Sequence, residues 1–126
     1  MDLLHAKDAE TALGFYLQGA TVVSNGVLFP SFDAVVAEIR TFYSTLQEIN
    51  LAVRDEVRVD VISRDAVMFT ATFRWCSTDM AGEKLALSGV WSALFVRDEG
   101  HWKIHYRHES FLPSQEQSES QVGSHE

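Results

Sequence analysis

The chain has 126 residues, 46% apolar and 22% charged, which suits one domain with a buried core and excludes a disordered or fibrous protein. Ten Lys and Arg against eighteen Asp and Glu leave a formal charge of −8, the wrong sign for holding nucleic acid or an anionic membrane surface. Its apolar runs fall far short of the roughly 20 residues that cross a bilayer.

Met1-Asp2-Leu3-Leu4-His5 lacks both the basic and the apolar part of a signal peptide. The one cysteine, Cys76, cannot form an internal disulfide and fits a reducing compartment. The expectation is a cytoplasmic single domain.

Asp8 is suited to cap a helix over 8–17, where Ala9, Ala12, Leu13 and Tyr16 recur at helical spacing and Gly19 supplies an end. Ala20 to Ser24 and Val27 to Phe29 flank Asn25-Gly26, a pair that favours a two-residue hairpin turn. Ser31 can cap a second, longer helix, with Asp33 in its first turn and Val35, Ile39, Phe42, Tyr43 and Leu46 on one face. After about residue 53 the period changes to two. Val57, Val59 and Val61 alternate with charged residues, and Val67, Phe69, Ala71, Phe73 and Trp75 share one face of the next strand. Leu85 to Val96 and His101 to Phe111 form the last two strands. From Pro113 onward Ser, Gln and Glu dominate, which predicts a disordered acidic tail over 113–126 beside a folded domain over 1–112. The order predicts an α+β domain with helices on one side of a curved antiparallel sheet.

Two registers are open for the last hairpin. A three-residue Asp98-Glu99-Gly100 turn pairs Arg97 with His101 and places Phe95, Ala93 and Trp91 on one face with Lys103, His105, Arg107 and Glu109. The other face then carries Val90, Leu94, Val96, Trp102, Ile104 and Tyr106. A two-residue Glu99-Gly100 loop instead brings Trp91 onto the face of Trp102. The first is favoured here. Large apolar groups on both faces call for cover on both, which predicts a homodimer.

The five histidines lack metal-ligand spacing, and His105 and His108 point to opposite faces, so no metal is expected. No glycine-rich phosphate loop or nucleophile elbow is present, and Cys76 has no activating motif, so no cofactor is expected either. His105, Arg107 and Glu109 at alternate positions could exchange protons beside aromatic rings, with His108 a further candidate. The plainer alternatives are a solvated strand face with a weak ion pair and a hydrogen-bonded histidine at the core edge. Phe15, Tyr43, Phe73, Trp75 and Trp91 converge as an aromatic pocket, with Ala93, Arg107 and Glu109 beside it, suited to a flat apolar or cyclic ligand.

The run Arg97-Asp98-Glu99-Gly100-His101-Trp102-Lys103-Ile104, followed by His108-x-Ser110, resembles the closing hairpin of the nuclear-transport-factor-two-like superfamily. The SnoaL-like and kinase-association-domain branches are nearest. Ala6-Lys7-Asp8-Ala9 looks like the turn into that family's second helix, Val22 to Gly26 like its first hairpin, and Ser31 to Leu46 like its long helix. The likeness spans about residues 5 to 111. It implies a cystatin-like cone, a bent sheet wrapped on helices around a pocket and usually dimeric, with the first helix shortened to Met1–His5. The family's enzymes place Asp or His pairs, or a Tyr with an Asp, inside the cone, and no complete set matches here. Where the kinase-association branch has pocket arginines, this chain has Ala93 and Glu109. The leading expectation is a small-molecule-binding domain. The alternatives are a cofactor-free lyase, isomerase or cyclase using His and Glu, and an assembly module.

Overall fold

A computed structural model describes residues 8–112. Met1–His5 and the acidic tail of residues 113–126 lie outside the described residues. The element order is α1 (Ala9–Leu13), β1 (Tyr16–Ser24), β2 (Val27–Leu28), α2 (Phe32–Thr45), β3 (Leu46–Ser63), β4 (Ala66–Asp79), β5 (Lys84–Asp98) and β6 (His101–Leu112). All six strands form one sheet in the order β2-β1-β6-β5-β4-β3. Every pairing is antiparallel except β1 with β6, which run parallel. The bent sheet and two helices make an α+β cone.

The helix caps follow local chemistry. Asp8 accepts from the Thr11 amide at 2.7 Å and Ser31 from the Ala34 amide at 3.2 Å, each satisfying an orphan donor of the first turn. α1 is shorter than the spacing suggested. Gly14 caps it, with its amide bonded back to Glu10, and the chain turns extended by Tyr16. Gly19, with φ of +88°, sits inside β1 where its register against β6 slips, rather than ending a helix. At Asn25-Gly26 both residues have positive φ and Ser24 faces Val27, the expected two-residue turn.

The last hairpin combines the two registers. Glu99 and Gly100 both have positive φ and Asp98 pairs with His101, so the loop has two residues and not three. Phe95 therefore faces Ile104, and Trp102 and Ile104 turn inward rather than outward. A bulge follows, with His105 as the extra residue, after which Leu94 faces Tyr106, Ala93 faces Arg107 and Trp91 faces Glu109. That one residue restores the parity that places Arg107 and Glu109 beside Trp91.

The core lies between α2 and the inner sheet face. Val35 and Ile39 of α2 meet Tyr16, Val22, Phe73, Trp75, Trp91 and Ile104. The inner rings are canted: Phe42 to Trp75 at 5.8 Å, and Phe73 to Phe111 edge-on at 5.9 Å. Among the described residues no helix is long and apolar enough to cross a membrane.

Candidate functional site

Between α2 and the sheet lies a cavity of about 310 Å³. α2 contributes Glu38, Ile39, Phe42 and Tyr43. β4 and β5 contribute Phe73, Trp75, Leu87 and Trp91, and β6 contributes Arg107, Glu109 and Phe111. Tyr16 closes one side, and Ser24 and Phe29 bracket the first hairpin. That hairpin is tied to the end of β6, because the Asn25 amide donates to the Glu109 carbonyl at 2.8 Å and Asn25 Oδ1 accepts from the Phe111 amide at 3.1 Å.

One polar cluster interrupts the aromatic wall. Arg107 Nη1 donates to the Tyr16 hydroxyl at 2.5 Å, and Arg107 Nη2 lies 2.7 Å from Glu109 Oε1. The Arg107 and Glu109 side chains are only 15% and 14% exposed, so this ion pair is largely removed from water. Burial pushes the Tyr16 phenol up from its ordinary value, more strongly than the neighbouring guanidinium pulls it down. Burial acts against the Arg107 charge, but Tyr16 and Glu109 together hold that guanidinium above its usual range. Arg107 stays a cation and Tyr16 a neutral phenol throughout the physiological range.

A pH dependence follows. The raised phenol destabilises the fold only when it must ionise, so stability is intact below about pH 10 and falls as pH rises through the folded-state value. Tyr43, also raised by burial, contributes in the same direction. Urea titrations from pH 8 to 11 are expected to show a flat region and then a decline. Tyr16→Phe should start less stable, having lost its bond to Arg107, but decline more shallowly. An equal slope in both proteins would show that the Tyr16 phenol holds its proton equally well folded and unfolded, against the raised value.

Of the residues singled out from sequence, Tyr43, Phe73, Trp75, Trp91, Arg107 and Glu109 line this cavity. Phe15 lines a different groove, and Ala93, fully buried, lines neither space. His105 is the exposed bulge residue, and His108, opposite Ser92, is exposed on the outer face. Among the described residues no histidine lines the cavity, and no group of three or more His, Cys, Asp or Glu side chains is arranged to hold a metal. Tyr16 was hidden in the helical pattern. Gly14 is the signal that separates it, since the helix ends there. Arg54 and Glu38, the remaining charges of the lining, sit in segments where the sequence gives solvated helix or strand spacing.

The lining therefore holds two carboxylates and two guanidiniums, and Glu109 is engaged by Arg107. Such a site can orient a flat molecule by stacking and by hydrogen bonds to its polar edge. Proton removal by Glu109 would first require parting it from Arg107.

The family model described as the SnoaL-like domain matches residues 2–114. The chain belongs to the SnoaL-like domain family. No curated protein matches the sequence. Among solved structures, this SnoaL-like chain is similar to a candidate calcium/calmodulin-dependent protein kinase II association domain from Xanthomonas campestris, with 15% identity and a TM-score of 0.73 over 89% of this chain and 79% of that one. A candidate dehydratase of the nuclear-transport-factor-two-like family from Streptomyces avermitilis is 19% identical with a TM-score of 0.72, covering 86% of each chain. A candidate scytalone dehydratase from Novosphingobium aromaticivorans is 13% identical with a TM-score of 0.75, over 86% of this chain and 74% of that one. At these identities the likeness establishes the SnoaL-like cone and leaves the chemistry to the site itself.

Proposed function

We propose that this SnoaL-like domain binds a small, flat, apolar molecule in the cavity under α2, and that it prefers neutral or cationic ligands to anionic ones. The observation that carries the reading is the Arg107–Glu109 pair at 2.7 Å within aromatic walls. A lone buried arginine would recruit a carboxylate through charge-assisted bonds, but here that charge is already matched. Desolvating an anion beside Glu109 adds a like-charge penalty on the order of 1 kcal/mol even at high dielectric.

The test uses the full chain labelled with 5-fluorotryptophan, whose three tryptophans give three fluorine signals. Trp75 lines the cavity, so its signal reports this site. Naphthalen-2-ylmethanol and the matching methylamine are expected to move it at about tenfold lower concentration than 2-naphthoate. Tightest binding by 2-naphthoate at Trp75, weakened in Arg107→Met, would overturn the reading.

The outer face of β4–β6 suggests the partner. Val90 is exposed there, with half-buried Met68, Leu94 and Tyr106 around it. We infer that a second copy covers this face. Light scattering at micromolar concentration is expected to give twice the chain mass, and Leu94→Asp to give monomers or insoluble chains, because an unpaired buried charge costs several kcal/mol. A monomeric wild type would refute the dimer and leave the cavity reading standing.

A further inference from the structure

Among the described strands β3 is an edge of the sheet, bonded to β4 on one side only. Residues 55–63 of that strand are all exposed, with Val57, Val59 and Val61 at 50%, 56% and 73%. These valines pair with Ala71, Phe69 and Val67, so they carry the inner apolar face out to its rim. Every second amide and carbonyl along the run points away from β4 and is open to another strand.

Natural edges are kept from pairing by bulges and by charges that repel a second copy. Bulges do occur here, between Arg54 and Val57 and between Val61 and Ser63, but they bracket a straight run without interrupting it. From Val57 to Val61 the register against β4 is unbroken. The two charges within the run are of opposite sign. Arg58 and Asp60 stand on either side of Val59, and among the described residues neither has an ion-pair partner.

This order is complementary to itself. When a second copy is laid antiparallel about Val59, Val59 faces Val59, Val57 faces Val61 and Arg58 faces Asp60. The two-fold axis forms each of the last two pairs twice. A slip of two residues in one direction sets Arg58 against Arg58, and in the other Asp60 against Asp60. Only the register centred on Val59 matches both charges.

We propose that the β3 edge is a self-association surface, where two copies pair Val57–Val61 antiparallel about Val59 and join their sheets. The valines cover one another on the inner side, and the two Arg58–Asp60 pairs fix the register on the outer side. The contact goes beyond the ligand reading, and it differs from the outer-face dimer in using the sheet's edge. Five residues from each chain are few beside the roughly 20–30 a side of a stable complex, so the contact fills on the order of hundreds of micromolar.

Hydrogen exchange of the full wild-type chain reads the edge directly, at about 20 µM and about 1 mM. The outward amides between Val57 and Val61 are expected to exchange about threefold more slowly at the higher concentration. Sedimentation over the same range should show the average mass rising about 1.5-fold, from whichever species the outer face sets. Arg58→Asp and Asp60→Arg should each abolish the rise, since each creates two like-charge pairs. An equimolar mixture of these two variants should regain it, because each supplies the charge that the other lacks. Both positions are exposed, so each variant should keep its Tm within about 3 °C of the wild type. Arg58 and Asp60 share the outer side with Met68, the partner of Asp60, so a third variant separates the two contacts. Val59→Lys lies on the inner side and should remove the rise while leaving the mass at 20 µM unchanged.

A rise that persists in Val59→Lys, or single variants that do not pair when mixed, would overturn the proposal. So would a wild-type mass and exchange rate that stay the same from 20 µM to 1 mM. Outward amides already slow at 20 µM, with no further change, would show that the chain's own residues cover the edge and overturn it equally. A chain that is monomeric at 20 µM yet climbs, with these responses in the variants, would support the edge contact and refute only the outer-face dimer.

Discussion

Gly89→Ala is expected to be among the most damaging single-methyl changes in the chain. Gly89 pairs with Phe111, and a Cβ built on it would stand 1.9 Å from the Ser110 carbonyl oxygen and 2.9 Å from the carbonyl carbon. Both obstacles are backbone, so no side-chain rotation relieves them. The end of β6 must lift. With it go the Phe73–Phe111 edge-on contact, the Asn25 bond to the Phe111 amide and the setting of Glu109. The loss should be on the order of 4 kcal/mol, at the far end of point-mutant effects, with Tm falling by about 15 °C or more. Gly14→Ala is the control. Gly14 has a right-handed φ of −62°, and a Cβ there meets its nearest atoms at 3.4 and 3.5 Å, an ordinary contact. That variant should hold its Tm or gain slightly by restricting the unfolded chain. A Gly89→Ala protein within about 5 °C of the wild type would show that β6 shifts freely.

Much of the architecture was legible because local signals and long-range pairing agreed. Ser31 caps α2, Asn25-Gly26 turns the first hairpin, and alternation from Val67 to Trp75 marks an inner strand face. Alternation misleads where a single residue changes the register. Glu99 adopts the left-handed region, unusual for a residue with a Cβ, which permits a two-residue loop where the glycine alone suggested three. His105 then bulges out and reverses the inward set for the rest of β6. Neither event leaves a periodic trace, because each spends one residue and the alternation resumes after it. The aromatic lining was legible from spacing, since large rings on one strand face must share a cover. Tyr16 and Arg54 were not. The helical reading absorbed the first, and the bulge between Arg54 and Val57 shifts the second out of phase with the valines that follow.

Glu109→Leu is expected to destabilise the domain more than removing the pair altogether. Arg107 and Glu109 are each mostly buried and 2.7 Å apart, so deleting the carboxylate leaves a guanidinium whose desolvation is no longer offset. The phenol of Tyr16, held neutral by burial, accepts one of its hydrogen bonds but cannot match its charge. Breaking one side of a buried pair costs about 3–5 kcal/mol, whereas replacing both sides with apolar groups of similar volume is often neutral or better. Arg107→Met with Glu109→Leu should therefore recover most of what the single change loses, and urea denaturation of the four proteins in the cycle measures it. The same cycle bears on the ligand. In Glu109→Leu the released arginine should draw 2-naphthoate to the Trp75 signal, reversing the wild-type order, while the double variant should prefer naphthalen-2-ylmethanol. Additive losses, with no recovery in the double variant, would show that the pair is solvated and that Glu109 does not set the charge preference of the cavity.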